Sequence, residues 1–188
     1  MTGLVMKERN RLHPHKFTLW LAIGSIVMMF AGLTSAYIVK RNQANWISFD
    51  LPVLFWVSTG LILISSLTMA MALKLFRQRF MQRYRLLMGI TLLLGLLFMV
   101  SQFAAFRQLW NMGITLQASV SYSFLYVIVG LHAVHVLGGV IALGVMLIRA
   151  FSSKVKNYSV VPVELISTYW HFIDILWIYL LVFLMMIR

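Results

Sequence analysis

Four ionisable side chains lie deep inside long apolar segments of this sequence, where each costs about 2.5–3.5 kcal/mol to insert into a membrane. His132 and His135 are three residues apart in one segment, and His171 and Asp174 are three residues apart in the next. Residues three apart share one face of an α-helix. Glu164 lies at the start of the second of these segments. These five residues are therefore the first candidates for a site.

Three kinds of site would use such residues. Histidines ligate haem iron and other metals, and Gly130, Gly138 and Gly139 would make room for a macrocycle beside them. A group of titratable side chains could also conduct protons or ions. The third interpretation is structural: the side chains form a hydrogen-bonded cluster that joins two helices, and the glycines allow close packing. Two histidines on one helix cannot be opposite axial ligands, and the candidate relay occupies only two helices, so the structural interpretation is favoured.

The composition determines which elements must position these residues. Of the 188 residues, 62% are hydrophobic and 11% are charged, whereas soluble domains have about 25% charged residues. This excludes a water-soluble globule. Five apolar segments, each of membrane-crossing length, predict an all-α polytopic membrane protein, a bundle of five transmembrane helices that forms a single membrane domain over residues 1–188. The predicted helices are 17–39, 52–73, 86–106, 122–149 and 165–187.

The ends of the predicted helices carry further signals. The apolar part of the first segment is too long for a signal peptide, so this segment is interpreted as an uncleaved helix. Pro52 and Pro162 mark helix starts, where a missing N–H group costs nothing. The sequence contains no cysteine, which excludes disulfides and thiolate-ligated metal centres.

The basic residues predict the orientation of the bundle. The formal net charge is +12, but the bases flank the apolar segments as the positive-inside rule requires, so no nucleic acid is expected as a partner. Twelve bases fall on one side of the predicted membrane and four on the other, which places the N-terminus in the cytoplasm and the C-terminus outside. The twelve are Lys7, Arg9, Arg11, Lys16, Lys74, Arg77, Arg79, Arg83, Arg85, Arg149, Lys154 and Lys156; the four are Lys40, Arg41, Arg107 and Arg188.

Two motifs in the last third of the chain resemble a known family. The segment from Gly130 to Gly139 contains His-x-x-His-Val-x-x-Gly, and residues 169–177 read Tyr-Trp-His-Phe-Ile-Asp-Ile-Leu-Trp. Both are similar to signatures of subunit III of the haem-copper respiratory oxidases, the cytochrome c oxidase subunit III family. Glu164 falls where that family carries a glutamate, and the segment from Phe30 to Tyr37 is similar to a stretch of its first shared helix.

The resemblance implies an accessory subunit of a terminal oxidase in aerobic respiration, located in the bacterial cytoplasmic membrane. Such a subunit carries no cofactor of its own, because subunits I and II hold the haems and copper. It packs mainly on subunit I, with subunits II and IV as further partners, and the complex can join a respiratory supercomplex. It also binds phospholipid, supports proton uptake and protects the active site during turnover. Arg149 lies where the family places an arginine that holds a phospholipid headgroup.

The sequence departs from the fuller family pattern in two ways. It resembles the short five-helix bacterial form, which lacks the first two helices of longer members and the lipid-filled cleft that they help to form. Ile26 stands where many relatives have a buried carboxylate, so the role of that carboxylate is not expected in this chain. A quinol oxidase subunit, a small transporter or proton channel, and a di-haem membrane cytochrome remain the alternatives.

Overall fold

A computed structural model describes residues 14–41, 53–115, 119–151 and 159–187 of the chain. Five α-helices account for nearly all of these residues, and the described part contains no strand. All five are long and apolar enough to cross a membrane, which confirms the predicted fold class. The helices are α1 (Pro14–Arg41), α2 (Leu54–Arg77), α3 (Met81–Asn111), α4 (Val120–Phe151) and α5 (Val160–Ile187).

Most of the helices are longer than the apolar segments that predict them. For example, α3 begins at Met81 rather than at 86 and ends at Asn111 rather than at 106. About 20 residues cross the hydrocarbon core, so the extra turns of this 31-residue helix lie beyond the core, where polar side chains are solvated. The fifth helix begins before Pro162 rather than after it, because proline is tolerated in the first turn of a helix. Pro52 lies outside the described residues.

The link between α2 and α3 is a three-residue turn that reverses the chain. Arg79 adopts a left-handed conformation with φ of 64°. The N–H of Phe80 donates to the carbonyl of Leu75 at 3.1 Å, and the N–H of Arg79 donates to the carbonyl of Phe76 at 3.0 Å. These two bonds are those of a Schellman motif, which satisfies the last carbonyls of a helix. The turn therefore holds α2 and α3 as antiparallel neighbours.

The helices are arranged as a ring of four with one helix outside it. Each of α2, α3, α4 and α5 contacts the next, and α5 contacts α2, which closes the ring. Among the described helices, α1 contacts only α4 and α5. It buries one stripe of side chains against them and exposes the rest. That stripe consists of Ile23, Phe30, Thr34 and Tyr37.

The side chain of Trp170 on α5 packs closely against glycines of two neighbouring helices. A Cβ atom built on Gly95 of α3 would lie 2.8 Å from its Cη2 atom, and one built on Gly139 of α4 would lie 3.0 Å from its Cε3 atom. The indole is 1% exposed. Small residues at helix interfaces allow such close approach in membranes, where packing rather than water drives association. The helices α3, α4 and α5 therefore pack together around this one indole.

The three glycines predicted to pack on α4 differ in their surroundings. Gly139 contacts Trp170, and a Cβ on Gly138 would lie 3.8 Å from the hydroxyl oxygen of Tyr169. Gly130 has nothing within 4 Å of the position of its missing Cβ, so no close contact in the described structure uses it, and its packing role stays a prediction. Conversely, Gly95 packs against Trp170, although it was not among the glycines predicted to pack.

Replacing Gly95 by alanine should destabilise the bundle. The new methyl group would overlap a buried indole that is held by two helices, and overpacking of this kind costs about 1–3 kcal/mol. We expect a correspondingly lower free energy of unfolding, measured by detergent titration of the purified chain in mixed micelles. Gly89→Ala is the matched control on the same helix, because nothing lies within 4 Å of that site. Equal stability of the two variants would contradict the packing described here.

Candidate functional site

The polar side chains of the Tyr169 to Trp177 motif bind mainly to α2. Trp170 Nε1 donates to Ser65 Oγ at 3.1 Å, and a hydrogen bond of 2.7 Å joins His171 Nδ1 to Ser66 Oγ. Two turns further along, Trp177 Nε1 donates to Thr59 Oγ1 at 3.0 Å. Together these three bonds form a row of hydrogen bonds between the two antiparallel helices.

His135 contacts its own helix and α1. Its Nδ1 atom donates to the carbonyl of Leu131 at 2.7 Å, and its ring meets the edge of Phe30 on α1 at a centroid distance of 5.8 Å. The backbone carbonyl of His135 accepts a hydrogen bond of 3.2 Å from the hydroxyl of Tyr169. The contact between this histidine and α5 therefore uses its backbone rather than its imidazole.

His132 and Asp174 are both buried inside the ring of four helices. The imidazole of His132 is 0% exposed and lies against the indole of Trp177, with ring centroids 5.1 Å apart, and against the ring of Phe98 at 6.1 Å. Asp174 is 2% exposed. Neither side chain has a hydrogen-bond partner in the described structure. Ser66 is near enough to Asp174 to act on its carboxyl group, but no well-aligned hydrogen bond joins the two side chains.

The predicted hydrogen-bonded cluster of His132, His135, His171 and Asp174 is therefore not formed. The histidines that make hydrogen bonds make them to Ser66 and to the Leu131 carbonyl, not to one another or to Asp174. The reason is that α5 contacts α2 as well as α4, and the hydroxyl groups that its polar side chains can reach lie on α2. Proximity along the chain indicated only the contact with α4.

Glu164 belongs to a different feature, at the end of the bundle where α1 and α5 begin and α2 ends. Its Oε2 atom lies 3.0 Å from Nζ of Lys16 on α1, and its Oε1 atom lies 2.9 Å from a terminal nitrogen of Arg77 on α2. Ten residues separate it from Asp174, which is about 15 Å along a helix. Its assignment to the same cluster is therefore wrong. The glutamate instead links three helices by ion pairs that remain partly exposed.

Two polar contacts in the ring were not anticipated. Gln102 on α3 is 2% exposed, and its Nε2 atom donates to Ser58 Oγ on α2 at 2.8 Å. A hydrogen bond of 2.8 Å joins the hydroxyls of Thr68 and Thr91 on the same pair of helices. The sequence did indicate the first of these contacts, because burying the amide of Gln102 in an apolar segment costs free energy unless it is hydrogen-bonded.

Arg149 lies in the last turn of α4 and its side chain is exposed. This position permits contact with a headgroup, and lipid binding there stays a prediction. Among the described residues, no group of three or more His, Cys, Asp or Glu side chains could hold a metal ion. Several predicted features lie outside the described residues: the leader bases Lys7, Arg9 and Arg11, and also Lys154, Lys156 and Arg188.

Comparisons with known proteins cover nearly the whole described chain. The family profile described as "Cytochrome c oxidase subunit III" matches residues 15–187. "Cytochrome c oxidase subunit 3" of Bacillus subtilis is 30% identical over 167 residues, covering 86% of this chain and 80% of the relative. "Probable cytochrome c oxidase subunit 3" of Mycobacterium leprae is 36% identical over 189 residues, covering 95% and 94%. The same description applies to a Nocardia farcinica relative that is 34% identical over 170 residues, covering 85% and 80%. The chain therefore belongs to the cytochrome c oxidase subunit III family.

Proposed function

We propose that this chain is a non-catalytic subunit of a haem-copper terminal oxidase, and that it packs on the subunit that holds the haems and copper. The observation that carries the proposal is the family match over residues 15–187, which covers all five described helices except Pro14 at the start of α1. The haem and copper centres of the enzyme would then be in partner subunits I and II, with no cofactor in this chain.

The contacts of the histidines support a non-catalytic role. His171 and His135 use their Nδ1 atoms to bind Ser66 and the Leu131 carbonyl, and the ring of His132 lies between aromatic side chains. The chain contains no cysteine. The polar groups of the second family motif are therefore used mainly to join helices, which is what an accessory subunit needs from them.

The outer surface of the bundle supports packing against lipid and other membrane subunits. Large apolar side chains face outward on every helix, as in Met28 of α1 at 78% exposed, Phe103 of α3 at 71% and Ile148 of α4 at 73%. Subunit I is the main partner in the proposal, with subunits II and IV as further partners. Bound phospholipid, support of proton uptake and protection of the active site complete the proposed role.

The relatives guide the proposed location and electron donor. The three named above come from bacteria, and their descriptions specify cytochrome c oxidase. We therefore place the chain in a bacterial cytoplasmic membrane as part of an enzyme that oxidises cytochrome c. The alternative is a quinol oxidase, because the donor site would lie on another subunit.

Co-purification tests the proposed function directly. A tagged chain extracted from its native membrane in mild detergent should bring subunits I and II with it, in a complex with haem absorbance and oxygen-reducing activity. The control is the same tagged chain expressed in a host that lacks this oxidase, where the purified chain should show no Soret band. Stoichiometric haem in that control, or an intact chain that never brings oxidase subunits, would contradict the proposal.

Orientation is tested with reporters on both sides of the bundle. We propose a cytoplasmic N-terminus and an external C-terminus, because bases concentrate where α2 ends and α3 begins. A reporter fused after Arg188 should be active only outside the cytoplasm, and one inserted after Arg79 should be active only inside. Finding both reporters on one side would contradict the orientation and the odd number of spans.

Arg149 tests the proposed lipid contact. Guanidinium groups bind phosphate through paired hydrogen bonds that lysine does not reproduce. Bonds to charged groups contribute about 1.5–3 kcal/mol, so Arg149→Ala should weaken retention of one phospholipid by about tenfold or more, and Arg149→Lys should restore part of it. Lipid bound after purification is measured by mass spectrometry. Arg107→Ala, on α3, is the control at the opposite end of the bundle, and equal lipid loss in both variants would contradict a specific headgroup site.

A further inference from the structure

Two polar side chains inside the ring of four helices, His132 and Asp174, have no well-aligned hydrogen bond in the described structure. Both nitrogens of His132 and both carboxyl oxygens of Asp174 lack a partner in the described structure, although the two residues are only 0% and 2% exposed. Buried polar atoms are almost always paired with protein or with ordered water. Ser66 lies near the Asp174 carboxyl group but makes no well-aligned hydrogen bond to it, so these four atoms call for a further partner.

Trp177 shows that the two side chains face the same interior space. Its indole lies 5.1 Å from the imidazole of His132, measured between ring centroids. Asp174 is three residues before Trp177 on α5, so both project from one face of that helix about one turn apart. Phe98 of α3 contacts both the imidazole and the indole, at 6.1 Å and 5.3 Å. The imidazole beside Trp177 and the carboxyl group of Asp174 are therefore about one helical turn apart along α5.

Polar side chains of α2 and α3 in the ring already make other hydrogen bonds. Ser66 binds His171 and Thr59 binds Trp177. Gln102 uses its Nε2 atom to bind Ser58, although its Oε1 atom has no partner. No third acidic, histidine or cysteine side chain joins this pair among the described residues, which argues against a metal ion. A small molecule that both donates and accepts hydrogen bonds fits the four open atoms best.

We propose that His132 and Asp174 bind one or two internal water molecules between α4 and α5. One water can accept a hydrogen bond from the protonated imidazole nitrogen and donate to a carboxyl oxygen, and a second water can donate to the other nitrogen. A buried water typically makes about three such bonds, and His132 and Asp174 have four open atoms that can supply them. The site would replace the direct hydrogen-bonded cluster that the sequence suggested. It lies within this chain, so it does not depend on the proposed function.

A density map and a double-mutant cycle test this site. A map of the full chain, with the subunits that purify with it, at a resolution that shows ordered water should contain density within hydrogen-bond distance of both side chains. His132→Phe and Asp174→Leu should each lower the Tm of the chain in lipid nanodiscs by several degrees, because each leaves the other group and the water short of partners. The double variant should melt closer to the wild type than the sum of the two losses, since it removes every member of the site together.

His135 provides the matched control on the same helix. Its imidazole binds the Leu131 carbonyl and contacts α1, so the losses from His135→Phe and Asp174→Leu should add. Additive losses in the His132 and Asp174 cycle would overturn the proposal. So would a map that shows direct contact between the two side chains, no density between them, or density that disappears when sodium and potassium are removed from the buffer. Where a variant fails to fold, the wild-type map decides alone.

Discussion

The rest of the bundle depends on the fit of Trp170 between two glycines. The indole touches Gly95 of α3 and Gly139 of α4 while its nitrogen donates to Ser65 of α2. Four helices are thus fixed in position by one side chain of α5. Lipid supplies no hydrophobic drive for helix association, so close packing and interhelical hydrogen bonds must hold the bundle together. This single contact combines both.

The hydrogen bonds from α5 to α2 extend that constraint along the membrane. His171 and Trp177 bind hydroxyls of α2 on either side of Asp174, so most of the polar positions in the second family motif are structural contacts. Each such bond contributes little in a membrane, about 0.6 kcal/mol on average. Together these bonds determine the position of α2 along α5, because sliding one helix past the other would break all of them at once.

The peripheral helix α1 is held by fewer contacts of different kinds. At one end Lys16 pairs with Glu164. Near the other end a hydrogen bond of 3.2 Å joins Thr34 to the hydroxyl of Tyr179, and Phe30 meets the His135 ring between them. Exposed ion pairs contribute about 0–1 kcal/mol, so the buried stripe of α1 must supply most of the attachment. The remaining faces of this helix are open to lipid or to another subunit.

The sequence by itself determined the five spans and the family, whereas only the tertiary structure decided which polar groups meet. Apolar length is a local property, and so the existence of each helix could be predicted, although their ends could not, because a helix continues past the apolar core. Spacing placed His171 and Asp174 on one face, but a helix in the ring has two neighbours, and spacing does not tell which neighbour offers a partner. The partner hydroxyls of α2 lie more than a hundred residues away from the motif in the chain. For the same reason, the packing role of Gly95 could not be predicted, because it depends on a tryptophan of another helix that lies against this glycine.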